Sequence, residues 1–258
     1  MITISASAVS SLRTRTGVSI LACKEALEEA GGDEEKAIEI LRKRGMAQAA
    51  KKAARDQAEG LIFHAEKASK SALVLVRCET DFVARDGTFQ TIGRELVSTL
   101  VEKGEAALKD LANKKLPEAV QKLGENITLG EHAVVEAQVL GSYVHSNQKI
   151  GVIVGLEGGT VEQARDAAMH AAAMNPLYAR PEEISQEMIG KEREIWKEQL
   201  AKEGKPEAIM DKIMLGKEKK FREENALLTQ PFVKDSSMTV EKYLGSAKLV
   251  SYVRLSVF

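Results

Sequence analysis

The sequence has few of the residues that cross-link or anchor a secreted or membrane protein. Only two of its 258 residues are cysteines. Cys23 and Cys78 are too few for a disulfide framework and lack the Cys-x-x-Cys spacing, so we expect two reduced thiols. The N-terminal residues lack the basic and apolar regions of a signal peptide, and no apolar run is long enough to cross a bilayer. These absences predict a cytoplasmic protein without a membrane partner.

Signatures of catalysis and of nucleic-acid binding are also missing. Lys and Arg total 37 against 38 Asp and Glu, so the net charge of −1 gives no general attraction to nucleic acid. Neither Gly-x-x-x-x-Gly-Lys-Ser/Thr nor Gly-x-Ser-x-Gly occurs. The four histidines lie far apart, without the His-Glu-x-x-His spacing of a helical zinc site. We therefore expect no enzyme chemistry, no catalytic residue, no metal and no cofactor.

Residues 1–45 have the pattern of three short helices. Apolar residues recur at helical spacing, Ser19 is placed to cap the second helix, and Asp33 follows Gly31-Gly32 to cap the third. Such a unit at a chain terminus either binds a partner or is a small packed bundle, and the residues alone leave both open.

An alanine-rich basic stretch follows at residues 45–57. Alanine and lysine favour a helix, and Lys51, Lys52 and Arg55 could contact phosphates. Three cations without interleaved aromatic residues are a weak signal for nucleic acid. The stretch therefore predicts a solvated linker helix.

Two later segments share a hairpin-then-helix pattern. Residues 60–79 predict a hairpin with a polar turn at 66–71, followed by a helix. Strands at 139–145 and 150–156 predict a second hairpin, and residues 161–174 predict its helix. The recurrence suggests an internal duplication that gives two α+β subdomains.

A pair of charged helices is predicted at 182–203 and 207–224, on either side of the break Gly204-Lys205-Pro206. Similar length and a tight break favour an antiparallel helical arm. Its apolar stripe is too thin for a domain core, so the arm packs on itself, on a second copy in a homodimer, or on a partner. We place this arm within the second subdomain.

Shorter segments complete the predicted α+β fold. Residues 102–123 predict one or two helices that cover a sheet, residues 231–233 re-enter the sheet, and a final strand follows a short helix. The predicted divisions are residues 1–54 for the helical domain and its linker, 55–140 and 141–258 for the two subdomains, and 182–228 for the arm.

The junction between the first hairpin and its helix carries an unusual residue. Thr80 and Asp81 are both good N-cap residues, and Phe82 places a large ring in this polar turn. Phe82 lies seven residues before Phe89, so one continuous helix would bury both rings, but Gly87 interrupts the pattern. Spacing alone therefore leaves a core Phe and an exposed wedge as equal alternatives.

Several motifs together resemble the bacterial elongation factor Ts family, whose members release guanine nucleotide from elongation factor Tu. The resemblance covers nearly the whole chain. The motifs, in the order of the family, are Arg13-Thr14-Arg15-Thr16-Gly17, residues 47–54, Thr80-Asp81-Phe82-Val83-Ala84, Gly124-Glu125-Asn126-Ile127, Gly141-Ser142-Tyr143-Val144-His145, Ala168-Met169-His170, Asn175-Pro176 and Gln230-Pro231-Phe232-Val233.

This resemblance implies a fold and a site. It implies a ubiquitin-associated-like N-terminal domain and, in many members, a further helical module for which these 258 residues have no counterpart. It implies that Thr80, Asp81, Phe82 and Val83 displace Mg²⁺ from elongation factor Tu, and that the protein binds this partner in both its GDP-bound and its nucleotide-free states. The other residues implied to contact the partner are Arg13, Ile20, Leu21, Ile127 and His145.

Two other function classes remain as alternatives at this stage. One is an interaction scaffold that uses the terminal helices and the arm without accelerating nucleotide release. The other is nucleic-acid binding through the basic stretch, which would weaken steeply with added salt. The leading hypothesis is a guanine-nucleotide exchange factor without direct contact to nucleic acid.

Overall fold

The computed structural model of the chain describes residues 4–203 and 207–258. It mixes helices and strands, which confirms the predicted α+β class. The helices are α1 (Ala6–Thr16), α2 (Ile20–Glu29), α3 (Glu34–Lys52), α4 (Asp81–Ala84), α5 (Gly87–Lys103), α6 (Glu105–Leu123), α7 (Val161–Met174), α8 (Gln186–Lys202), α9 (Glu207–Asn225) and α10 (Val240–Leu244). The strands are β1 (Glu59–Lys67), β2 (Lys70–Cys78), β3 (Thr128–Glu136), β4 (Val139–Val144), β5 (Ile150–Glu157), β6 (Pro231–Phe232), β7 (Asp235–Thr239) and β8 (Lys248–Ser256).

The chain divides into two compact units. The first contains the chain up to Val134 together with Val144–Gly151 and Leu255–Phe258, and the second contains Val135–Tyr143 and Val152–Arg254. Within the described residues, no helix is both long and apolar enough to cross a membrane.

Helices α1 to α3 form a small bundle whose caps agree with the sequence prediction. The Ser19 hydroxyl accepts the Ala22 N–H at 3.3 Å, and Asp33 accepts the Lys36 N–H at 3.0 Å. These bonds satisfy donors that a helix start leaves unpaired. The side chains buried in this bundle are Val9, Leu12, Val18, Cys23, Ala26, Leu27, Ala37 and Leu41.

The basic stretch differs from the prediction, because α3 continues through it to Lys52 and packs on α6. Gly45 permits this approach, since a Cβ there would lie 3.1 Å from the Pro117 carbonyl oxygen. At the end of the helix, Lys52 Nζ donates to the Gly124 carbonyl at 2.6 Å. The predicted helix is therefore confirmed up to Lys52, with most of its side chains exposed, but it is the end of α3 packed on α6 and not a separate linker.

The first unit has a sheet in the order β1-β2-β3, with α5 packed on β1 and β2 and α6 packed on α5. Strands β1 and β2 pair antiparallel as predicted, but the pairing extends to Lys67 and Lys70, which leaves a two-residue turn in place of the predicted polar turn. Residues 105–123 form one helix. Gly93 of α5 lies against the Phe63 ring, so close that a Cβ there would be 2.1 Å from ring carbons.

Strand β3 was missing from the sequence prediction. It occupies an edge of its sheet, and Val135 is its single buried residue. Because most of its side chains are only partly covered, the segment lacks the apolar run or strict alternation that identifies a strand from sequence.

The second unit has a sheet in the order β4-β5-β8, with α7 at the predicted residues 161–174. Residues 231–233 do not enter this sheet, because β6 pairs with β7 in a separate two-stranded ribbon. Helices α8 and α9 pack against each other, and the Trp196 and Phe221 rings meet with centroids 5.7 Å apart. The predicted break at 204–206 lies outside the described residues.

A buried histidine connects α7 to the ribbon. His170 is fully buried; its Nδ1 accepts the Val233 N–H at 3.1 Å, and its Nε2 lies 2.9 Å from Gln230 Oε1. An imidazole that accepts at Nδ1 and donates at Nε2 is neutral. Burial lowers the His170 pKa, and the bond to Gln230 opposes this only in part.

Candidate functional site

The ring of Phe82 projects from the turn between β2 and α5. Helix α4 is a single turn, and Asp86 starts a new helix by accepting the Thr88 N–H at 2.7 Å. The chain therefore changes direction between Phe82 and Phe89. Phe82 is 81 % exposed, whereas Phe89 is 1 % exposed. The alternative in which both rings belong to the core is wrong.

The side chains that follow Phe82 anchor the turn from below. Val83 and Ala84 are 9 % and 2 % exposed and belong to the core of the first unit. Gln90 also donates from Nε2 to the Ala84 carbonyl at 3.0 Å. One face of this short turn is thus fixed in the core, and the opposite face presents the Phe82 ring to solvent.

A carboxylate from a distant part of the chain holds the start of the turn. Glu125 Oε2 accepts the N–H groups of Glu79 and Thr80 at 3.1 and 3.0 Å, and its Oε1 accepts the Thr80 hydroxyl at 2.5 Å. Thr80 Oγ1 in turn accepts the Val83 N–H at 3.4 Å. Glu79 completes the arrangement by accepting the Asn126 N–H at 2.6 Å. We call the Glu125 carboxylate, with its three donors (the Glu79 N–H, the Thr80 N–H and the Thr80 hydroxyl), the carboxylate clamp.

Sequence reasoning did not find the carboxylate clamp. In the sequence, Glu125 stands out only as part of the motif Gly124-Glu125-Asn126-Ile127, which assigns it no role. Its neighbour Asn126 is 2 % exposed and donates to the Arg55 carbonyl at 3.0 Å, so the whole segment is firmly placed. The sequence contains one indication of the clamp: an acidic residue, Glu125, in a second motif far from the turn, which could accept hydrogen bonds from it.

The remaining polar groups of the turn have structural partners. Thr80 is the N-cap, and Asp81 is in the first helical turn, where its carboxylate pairs with Arg85 at 2.8 Å. The Cys78 thiol donates to the Thr80 carbonyl at 3.2 Å, and burial together with the Glu125 charge raises its pKa to about 12. A neutral thiol is a poor nucleophile. The described residues also contain no group of three metal-ligating side chains.

The other predicted contact residues lie on different elements. Arg13 and Ile20 line a groove of about 430 Å³ on α1 and α2, beside Leu21, which is 66 % exposed. His145 is exposed just after β4, where its N–H donates to the Ile150 carbonyl at 2.9 Å. Ile127 is 3 % exposed and belongs to the core of the first unit. The structure therefore does not offer the Ile127 side chain to a partner.

Comparison with known sequences identifies the family. The family described as "Elongation factor TS" matches residues 79–257, which include the Phe82 turn, Glu125 and His145. The chain belongs to the elongation factor Ts family. It is therefore an elongation factor of protein synthesis.

Individual members of the elongation factor Ts family are similar to this chain over nearly their whole length. The one from Hydrogenobaculum sp. is 43 % identical over 254 residues, 93 % of each chain. The one from Aeromonas hydrophila is 44 % identical over 269 residues, covering 100 % of this chain and 92 % of that relative. The one from Deinococcus deserti is 40 % identical over 258 residues, covering 96 % and 98 %.

Proposed function

We propose that this protein accelerates GDP release from elongation factor Tu by inserting the Phe82 ring as a wedge that disturbs the Mg²⁺ and phosphate site of that GTPase. The observation that carries the proposal is an almost fully exposed phenylalanine on a turn that is fixed from both sides. An isolated exposed apolar side chain needs no explanation. Phe82 is a different case, because the carboxylate clamp and the burial of Val83 fix its turn so that the ring stays out of the core of its own protein.

The proposed acceleration needs no bond-breaking chemistry in this chain. A protein that binds the nucleotide-free GTPase better than the loaded form weakens nucleotide binding by the same factor. Mg²⁺ requires near-ideal octahedral geometry and helps to hold the phosphates. A wedge that shifts the elements around the metal therefore weakens the nucleotide without touching it. The protein is an exchange factor in this proposal and has no catalytic residue or cofactor of its own.

Each residue of the turn has a distinct part in the proposal. Phe82 is the wedge, and it suits this part because an aromatic ring has few torsions to order on binding. Thr80 and Val83 position the ring, one through the carboxylate clamp and one through burial. Asp81 makes polar contacts beside the ring, and its exposed pairing with Arg85 is weak enough to exchange for a contact with the partner.

Further contacts to elongation factor Tu are proposed from surface positions. Arg13, Ile20 and Leu21 give one edge of the N-terminal bundle a cation and two exposed apolar side chains, a combination found in interface cores with polar rims. His145 is proposed as a contact at the end of a hairpin. Ile127 supports the site from within the core.

The finer architecture is also a proposal. The N-terminal bundle is taken as a ubiquitin-associated-like domain within residues 1–54, and residues 55–140 and 141–258 as duplicated subdomains. Helices α8 and α9 are taken as an inserted antiparallel arm at 182–228. We propose no direct nucleic-acid contact, and a homodimer through the arm is a further outcome that sedimentation of the free protein tests.

Release of fluorescent GDP from elongation factor Tu tests the proposal. Burial of a large apolar side chain contributes about 1.5–3 kcal/mol, so we expect Phe82→Ala to slow release by roughly 10- to 100-fold. Phe258→Ala is a matched control, because Phe258 is 83 % exposed and lies away from the turn in sequence. A Phe82→Ala protein that releases GDP at the wild-type rate would reject the wedge.

One observation favours a second candidate, an interaction scaffold that uses the arm. Ile195 and Leu215 on α8 and α9 are 49 % and 62 % exposed. A scaffold would form a complex with elongation factor Tu without changing its GDP off-rate, and Ile195→Asp would then weaken recruitment of a third protein. Rapid release that depends on Phe82 would favour the exchange factor.

A further inference from the structure

An arginine in the second unit has a buried nitrogen without a bonding partner. Arg254 is the last residue of that unit, on the edge strand β8. Its Nε is buried and has no hydrogen-bond partner within the parts of the chain that the structure describes. Buried donors are almost always paired, and each exception calls for an explanation such as a bound ion or ligand. An arginine side chain carries a positive charge and only hydrogen-bond donors.

Arg254 lines a cavity of about 420 Å³ between β8 and the loop that follows α7. This volume lies at the small end of the range for ligand sites. Pro176, Leu177, Tyr178 and Tyr252 supply the carbon surface of the cavity, and Leu177 on its rim is 57 % exposed. The cavity thus combines an apolar wall with one unpaired cation.

Several other polar groups around the cavity already have partners. The Tyr252 hydroxyl donates to the Pro176 carbonyl at 2.7 Å. The N–H groups of Leu177 and Tyr178 donate to the Asn225 carbonyl at 3.0 and 3.1 Å. Among the residues that line the cavity, Arg254 supplies the positive charge.

The acidic residue of the cavity is also engaged elsewhere. Glu183 Oε2 accepts the Ala179 N–H at 2.9 Å, and its Oε1 lies 3.5 Å from an Arg180 nitrogen. Among the described residues, Arg254 forms no ion pair with a carboxylate. The charge of Arg254 is thus not neutralised from within the cavity.

We propose that this cavity binds a carboxylate, with the Arg254 guanidinium as its anchor and the aliphatic part of the ligand against Pro176 and Leu177. A guanidinium matches a carboxylate in charge and in planar two-point geometry. A phosphate group fits less well, because its greater charge calls for more donors than one side chain supplies. The carboxylate is carried either by a free small acid or by the end of a peptide chain. This site is independent of the exchange activity proposed for Phe82.

Nitrogen NMR of the full-length protein tests the proposal. The Arg254 Nε–Hε signal is assigned by its disappearance in Arg254→Lys, and propionate is then titrated against chloride at constant ionic strength. We expect a saturable shift with propionate in the wild type and in Lys248→Gln, a control that removes an exposed charge from the same strand. In Arg254→Gln and Arg254→Lys, the saturable response of neighbouring backbone amides should weaken at least fivefold.

A pair of rim variants keeps the test valid if the Arg254 variants do not fold. Leu177→Asp places a negative charge at the mouth of the cavity, whereas Leu177→Asn adds polarity without charge. We expect the aspartate to weaken propionate binding by roughly threefold or more relative to the asparagine. Equal affinities in the two variants would contradict the proposal.

Two further probes separate the sources of the carboxylate. N-acetyl-valine that binds more tightly than propionate would indicate the end of a peptide chain, and equal affinities would indicate a free small acid. N-acetyl-valine amide, which has no carboxylate, should not bind. Binding of the amide, a non-saturable propionate response, or an unchanged response in Arg254→Gln would overturn the proposal.

Discussion

Replacing Glu125, whose carboxylate holds the Phe82 turn, should disturb the position of the Phe82 ring while leaving the ring itself intact. Glu125→Ala removes the acceptor of three hydrogen bonds, from the N–H groups of Glu79 and Thr80 and from the Thr80 hydroxyl. Because these donors are only partly buried, water can replace part of what is lost. At about 1 kcal/mol for each bond, we expect the free energy of unfolding to fall by about 2–4 kcal/mol. Glu125→Gln, which keeps an acceptor but loses the charge, should fall between this variant and the wild type.

The local effect of Glu125→Ala is more specific than the loss of stability. Amide hydrogen exchange at Glu79 and Thr80 should become roughly fivefold faster, since one bond of about 1 kcal/mol per amide is lost. Glu131→Ala is a matched control, because Glu131 is exposed and is expected to change stability by no more than about 0.5 kcal/mol.

The same variant also tests the proposed function. Glu125→Ala should slow GDP release although Phe82 is intact, because the ring is then less well positioned. In the double variant with Phe82→Ala, the loss of the clamp should add little further slowing, since the wedge is already absent. Unchanged amide protection at Thr80 in Glu125→Ala would refute the claim that the clamp orders the turn, and fully additive rate losses would refute its link to Phe82.

Three further predictions concern the packing that supports the site and the buried histidine. Gly93→Ala should lower the free energy of unfolding, measured by urea titration, by about 1–3 kcal/mol, because its Cβ would overlap the Phe63 ring. Adding Phe63→Leu to this variant should recover part of the loss. Equal stability of Gly93→Ala and the wild type would contradict this. Ile127→Ala should cost about 2–5 kcal/mol because the side chain is buried, whereas Leu21→Ala should cost far less; a stable Ile127→Ala protein with weakened binding to elongation factor Tu would instead make Ile127 a surface contact. The pKa of His170 is lowered in the folded protein, so below pH about 6.5 the unfolded state binds more protons than the folded state. The stability that this group contributes is therefore complete above that pH and is lost as the pH falls through the folded pKa. In His170→Gln, thermal unfolding should lose this part of its pH dependence.

The fold could be predicted from sequence wherever a local pattern determines it. The predicted caps at Ser19 and Asp33 and the limits of α7 agree with the structure because each depends on residues within one or two turns. A helix over the basic stretch could be predicted, but its packing on α6 could not, since there Gly45 meets Pro117 of a helix that is distant in sequence. The same holds for β3, whose partly exposed side chains give no strong period.

The candidate site shows the same division between local and distant causes. Spacing alone could not decide whether Phe82 was buried, because the seven-residue step to Phe89 fits one helix. The outcome depends on Asp86, which starts a second helix and turns the chain. The local sequence could not reveal Glu125 either, since this acid is 45 residues from Thr80.

The long-range origin of the carboxylate clamp limits how the turn could be moved or copied. A synthetic peptide of residues 78–86 would carry the phenylalanine but neither the acid that binds its first amides nor the core that receives Val83. Grafting this turn onto another scaffold would therefore require a hydrogen-bond acceptor at the position of Glu125 and an apolar pocket that buries Val83. During synthesis, the ring also leaves the ribosome before its support, so the turn acquires its final shape only after the residues that follow α6 have been added.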